Sequence, residues 1–138
     1  MDINTIQNEI IEEFSVFDDW MDKYQYIIDL GKELQTLDSE YKKDEYLVKG
    51  CQSNVWVVAE YKDGKLYFRA DSDAFITKGI IALLLRVFTG QTPEDILNAD
   101  LFFIKELGLE QHLSMNRANG LSGMIDKIKE YARMYSEK

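Results

Sequence analysis

Val55-Trp56-Val57-Val58-Ala59-Glu60-Tyr61, then Lys62-Asp63-Gly64, then Lys65-Leu66-Tyr67-Phe68-Arg69-Ala70 is the stretch that decides the fold. Both outer runs are β-branched and aromatic, and Asp63-Gly64 between them suits the positive φ angles of a two-residue type I′ turn. With that turn as the loop, Tyr61 opposes Leu66, Ala59 opposes Phe68 and Val57 opposes Ala70, while Glu60 opposes Tyr67 and Val58 opposes Arg69. Side chains alternate between the faces of a strand, so the first set forms the core face.

Beyond the hairpin, Asp71, Ser72 or Asp73 is placed to cap a helix carrying Phe75, Ile76, Ile80, Ile81, Leu83, Leu84, Leu85 and Val87, which stops near Gly90. Apolar on most sides, it is expected to be the buried central helix. Thr92-Pro93-Glu94-Asp95 then supplies a cap, a proline at the first helical position and two acids where the helix dipole favours them. Leu101 to Leu107 reads as a further short helix ended by Gly108, and Leu121, Met124, Ile125, Ile128, Ala132 and Tyr135 mark a long final one. Before the hairpin, Ile3, Ile6, Ile10 and Phe14 recur at helical spacing. A second helix begins after Asp18 or Asp19, with Trp20, Tyr24, Ile27, Ile28 and Leu34 on one stripe and Gly31 weakening its last turn. Thr36 to Lys43 reads as a surface connection leading into a short strand at Tyr46 to Val48. Strands in one central block with helices on both sides predict an α+β fold, a small three-stranded antiparallel sheet packed with helices. No repeat or linker divides residues 1–138, so a single domain is expected.

At 138 residues the chain is long enough to bury roughly two-thirds of its unfolded surface. A formal net charge of −9 works against phosphate-rich partners, so neither nucleic acid nor an anionic membrane is expected. The longest apolar run, Gly79 to Leu85, falls far short of the ~20 residues of a membrane span, and Met1-Asp2-Ile3-Asn4 does not read as a signal peptide. A cytoplasmic location is the expectation. One cysteine and one histidine exclude an internal disulfide and a Cys/His zinc cluster, so no metal site is expected.

Chemistry therefore centres on Cys51, in Val48-Lys49-Gly50-Cys51-Gln52-Ser53-Asn54. A lone cysteine is often a small buried hydrophobe, and that reading stays open. Against it, Gly50 lets the backbone turn sharply beside the sulfur, and Gln52, Ser53 and Asn54 offer hydrogen-bonding groups unusual around a purely packed thiol. His112 is a candidate to orient or deprotonate the thiol, although it lies about sixty residues downstream. Arg117 opens the last helix, where the dipole gives a cation nothing, and it either has another task or makes a surface ion pair. Asp71 and Asp73, two residues apart, read first as caps and second as paired carboxylates. Phosphate loops, a Gly-x-Ser-x-Gly elbow and His-Glu-x-x-His are absent from the sequence, and no cofactor motif competes with Cys51.

The segment Val48-Lys49-Gly50-Cys51-Gln52-Ser53-Asn54-Val55-Trp56 resembles the active-cysteine segment of the SufE family of cysteine desulfuration proteins. Phe68-Arg69-Ala70-Asp71-Ser72-Asp73-Ala74, Ile76-Thr77-Lys78-Gly79, Gly90-Gln91-Thr92-Pro93-Glu94 and Leu107-Gly108-Leu109 through Arg117-Ala118-Asn119-Gly120-Leu121 are similar to that family in the same order. Where the family reads Ser-x-Ser-Arg, this chain has Ser114-Met115-Asn116-Arg117. The resemblance implies a SufE/IscU-like fold and a protein that accepts sulfur on Cys51 from the persulfide of a pyridoxal-phosphate cysteine desulfurase (SufS/CsdA-like), stimulates that desulfurase, and passes sulfur to an iron–sulfur cluster scaffold. It implies no cofactor of the chain's own, and it allows a weak homodimer. It also implies that Arg117 and His112 support the Cys51 loop, while Gly50, Gln52, Ser53, Asp71 and Asp73 form the docking surface. A persulfide in water is open to reduction and oxidation, so Cys51 is expected to rest in an apolar recess and turn outward when the desulfurase docks. The competing reading is a non-catalytic interaction module in which Cys51 only packs.

Overall fold

The computed structural model describes residues 1–51, 53–113 and 115–136, with the side chains of 115–119 excepted. The hairpin forms as its residues dictate. Strand β1 (Val55–Lys62) and strand β2 (Lys65–Ser72) pair antiparallel with Tyr61 opposite Leu66, Ala59 opposite Phe68 and Val57 opposite Ala70. Asp63 at φ 54° and Gly64 at φ 81° take the left-handed conformations that a type I′ turn demands. Val55, Val57, Leu66, Phe68 and Ala70 are buried on one face, but Tyr61 near the turn is exposed; on the other face Glu60, Tyr67 and Arg69 are exposed while Val58 is buried.

Among the described residues the sheet has two strands, not three. Tyr46 ends a one-turn 3₁₀ helix, Asp44–Tyr46, and Leu47 makes only an isolated antiparallel bridge to Trp56. Val48 donates its N–H to the Val55 carbonyl at 2.8 Å, and then Gly50, at φ 89°, turns the chain away before a ladder can extend. The apolar signal at Tyr46 to Val48 is therefore one of burial beside a sheet, not of membership in it.

Seven helices surround the hairpin among the described residues: α1 (Ile3–Phe14), α2 (Trp20–Glu33), α3 (Phe75–Phe88), α4 (Pro93–Asn98), α5 (Phe102–Leu107), α6 (Leu109–His112) and α7 (Met115–Ser136). Capping sets several starts. Asp2 accepts from Thr5 N–H at 2.7 Å, Asp19 from Asp22 N–H at 2.9 Å and Thr92 from Asp95 N–H at 3.2 Å, each satisfying a donor that the first turn leaves unpaired. No such cap starts α3. Ala74 stands at the N-cap, so the capping expected of Asp71 or Asp73 is corrected: both carboxylates are committed to other backbone and side-chain groups.

Helix α3 is the centre. Ile76, Ile80, Ile81, Leu83, Leu84, Leu85, Val87 and Phe88 are all buried, each contributing roughly 2 kcal/mol of apolar transfer. It packs on β2 along one side and on α2 along another. At the α2–α3 crossing Gly31 meets Gly79. A Cβ on Gly31 would stand 2.6 Å from the Gly79 nitrogen, and one on Gly79 would overlap the Ile27 carbonyl. Gly31 thus lowers helix propensity but permits the closest approach of two backbones, a gain that propensity does not register. Helix α1 lies on α3 and α5, and α7 lies on β1, α3 and α4, with the Tyr131 hydroxyl donating to the Val57 carbonyl at 2.7 Å. No described helix is long and apolar enough to cross a membrane.

Candidate functional site

The described residues between Val48 and Val55 lie in a short loop at the end of the hairpin opposite the Asp63-Gly64 turn, closed by the Val48–Val55 backbone hydrogen bond. At its far end Asn54 is clamped to the start of α3. Its N–H and side-chain amide donate to the two carboxylate oxygens of Asp73 at 3.1 and 3.0 Å. The Asn54 carbonyl in turn accepts from Ser72 Oγ at 2.9 Å and from the Asp73 N–H at 3.2 Å. These four contacts hold the outgoing limb of the loop against a rigid strand–helix junction.

The inner side of the loop rests on α7. A Cβ on Gly123 would overlap the Lys49 carbonyl oxygen and come within 3.2 Å of the Val48 side chain. One turn earlier, a Cβ on Gly120 would stand 3.0 Å from Cys51 Sγ. Residues three apart share a helix face, so the two glycines open one notch into which the loop settles.

Cys51 is half-buried, packed against the apolar core, and its Sγ donates to the Gly120 carbonyl at 3.6 Å. Burial pushes the thiol pKa above its ordinary value, because desolvation disfavours the charged thiolate. The resting sulfur is therefore a neutral, weakly nucleophilic thiol. Its chemistry requires either exposure to water or a positive group brought from outside.

The other expected site residues divide. Gly50 is exposed, Ser53 half-buried and Asp73 exposed, so these three border the thiol loop or its clamp on the surface. Asp71 does not share that surface. It is 2% exposed and accepts from the Leu37 and Ser72 N–H groups at 3.1 and 2.8 Å, with the Lys78 and Lys42 ammonium groups at 3.2 and 3.5 Å. Burial alone would raise its pKa, but the Ser72 and Leu37 N–H groups and then Lys78 outweigh it, leaving the carboxyl below its ordinary value. Asp71 is a buried tie between the sheet and the chain entering from α2.

His112 is exposed at the end of α6, its ring stacked on Trp20 at 4.4 Å and 12°. The described hydrogen bond of Cys51 goes to Gly120, not to His112. Arg117 lies in the first turn of α7, the helix whose Gly120 meets Cys51, and its side chain falls outside the described residues, as does Gln52. Gly120 and Gly123 complete the site without having been singled out for a role in it, while Asn54, expected only as a polar group beside the thiol, clamps the loop to Asp73. The available signal was two glycines three apart inside a long amphipathic helix, a costly composition that marks a close backbone approach.

Comparison with known proteins agrees in one direction. A family model described as SufE: Fe-S metabolism associated domain matches residues 8–132. An uncharacterized SufE-like protein of Rhizobium meliloti (strain 1021) is 39% identical over 133 residues, covering 93% of this chain and 95% of the relative. A second uncharacterized SufE-like protein, of Rhizobium etli, is 38% identical over 132 residues, covering 92% of this chain and 89% of its own. The solution structure of a hypothetical protein from Thermus thermophilus superposes with a TM-score of 0.77 over 96% of this chain and 97% of that one, at 19% identity, a likeness of fold.

Proposed function

The chain belongs to the SufE family, and from that premise we propose that Cys51 is a sulfur acceptor serving a pyridoxal-phosphate cysteine desulfurase. Family membership gives the chain a role in iron–sulfur metabolism and sulfur transfer. The finer reading is a relay in which residues 1–138 act as one cytoplasmic domain, stimulate the desulfurase and hand sulfur on to an iron–sulfur cluster scaffold.

The observation that carries it is the half-buried thiol of a glycine-turned loop, its Sγ donating to the Gly120 carbonyl and its pKa raised by burial. In the step proposed, the Cys51 thiolate attacks the outer, sulfane sulfur of the partner's cysteine persulfide. The new bond joins Cys51 Sγ to that sulfur, the partner's S–S bond breaks, and the partner's cysteine leaves as a thiolate, with no external oxidant or reductant. The Cys51 proton passes to solvent or to the partner as the thiol leaves the Gly120 carbonyl. Removing the acceptor thiol from water when idle limits its oxidation, and withdrawal of the loaded sulfur protects the persulfide in the same way.

The same half-burial favours the competing reading, an interaction module in which Cys51 only packs. The two separate cleanly. Incubation with a cysteine desulfurase and cysteine, followed by intact-mass measurement, should add one sulfur atom to the native protein and none to Cys51→Ser, whose melting temperature should match the parent. Sulfur acceptance undiminished in Cys51→Ser sinks the relay. Full stimulation of the desulfurase by Cys51→Ala would favour the packing module.

A further inference from the structure

We infer that Gly120 is the positioning residue of the thiol, a bare place on α7 whose missing side chain leaves the space the sulfur occupies at rest. The contact is selective. A Cβ at position 120 would lie 3.0 Å from Cys51 Sγ but 3.7 Å from both Cα and Cβ of the same residue, which is ordinary van der Waals distance. Among the described residues only the sulfur is in the way, and a sulfur can leave by rotating about χ1. Gly123 differs, because the group it admits is the Lys49 carbonyl, part of a backbone that has no such freedom. The notch thus has two parts: Gly123 holds the loop, and Gly120 sets how deep the sulfur sits.

The Gly120 carbonyl adds a second restraint, since it accepts from the S–H at 3.6 Å and offers a thiolate only repulsion. The inward sulfur is therefore held as the protonated thiol. Any group added at position 120 pushes the equilibrium towards the outward, ionisable thiol. The geometry stands by itself, and its meaning for sulfur transfer rests on the acceptor reading of Cys51.

The experiment is alkylation of the full chain by iodoacetamide, followed by intact mass from neutral to mildly alkaline pH, in the native protein and in Gly120→Ala. The variant should react about tenfold faster at neutral pH, with its inflection moved down towards the ~8.5 of a free cysteine. A purely structural role for Gly120 would leave that pH profile in place. Should Gly120→Ala fail to fold, the pair Cys51→Ala and Cys51→Ala/Gly120→Ala decides. Without the sulfur, alanine at 120 meets only ordinary contacts among the described residues and gains helix propensity, so the double variant should melt no lower than Cys51→Ala. An unchanged alkylation profile, or a Gly120→Ala penalty of equal size with and without the sulfur, overturns the inference. Faster alkylation in Gly120→Ala, together with a native protein that accepts no sulfur from a desulfurase, would leave the seat intact and remove the relay.

Discussion

The two ends of the hairpin are built on opposite plans. At one end Asp63-Gly64 turns in open solvent: a Cβ on Gly64 would meet nothing within 4 Å, and the conformation follows from the two residues themselves. At the other end the loop between Val48 and Val55 is gripped on both sides, by the Asn54–Asp73 clamp and by the Gly120 and Gly123 notch. A reversal that only has to return the chain can be specified locally. One that seats a thiol against a helix needs groups from elsewhere in the sequence, and the chain's one cysteine stands at that end.

The contrast is open to test by substitution. Gly123→Ala should be the most damaging, since the new methyl overlaps the Lys49 carbonyl and the backbone must shift. A loss of about 3 kcal/mol in urea unfolding is expected, and a loss near zero would mean the loop is not held by α7. Asp71→Ala should cost about 2 kcal/mol, because it strips Lys78 and the Leu37 N–H of their partner in a mostly dry setting. The same carboxylate gives a pH signature. Its folded pKa lies below the ordinary 3.8, so its stabilisation is whole above that value and is lost as pH falls through the folded value. Asp71→Ala should therefore flatten the acid limb of the stability profile, and an unaltered limb would assign acid unfolding to other groups. Smallest should be Gly64→Ala, where φ strain alone costs about 1 kcal/mol and the rate of Cys51 alkylation stays as in the parent. A change in that rate would show the two ends to be coupled.

Features with short-range causes were legible in the residues. The register of β1 and β2, the extent of α1 and the Thr92-Pro93 start each depend on neighbours a few positions away and match the residue pattern, while the structure chooses Asp19 over Asp18 as the cap of α2. Features with two distant halves were not. Gly31 reads as a weak point until Gly79 is set against it, and Asp71 reads as a cap until Lys78 and the Leu37 N–H close around it. Gln7 sits fully buried among the isoleucines of α1, and what makes that tolerable lies over ninety residues away. Its amide donates to the Asp100 carbonyl at 2.9 Å and accepts the Phe103 N–H at 3.1 Å.

The sequence by itself determined the hairpin, the central apolar helix, the single thiol and, through the order of its motifs, the family. These are properties of composition and of spacing along the chain. Tertiary structure alone decided that the third apolar run stays outside the sheet, that Asp71 is buried beneath the surface it was expected to share, and that Gly120 and Gly123 receive the Cys51 loop. The reason is physical: an absent side chain has no signature of its own, and the space it leaves acquires a function only when another part of the chain folds into it.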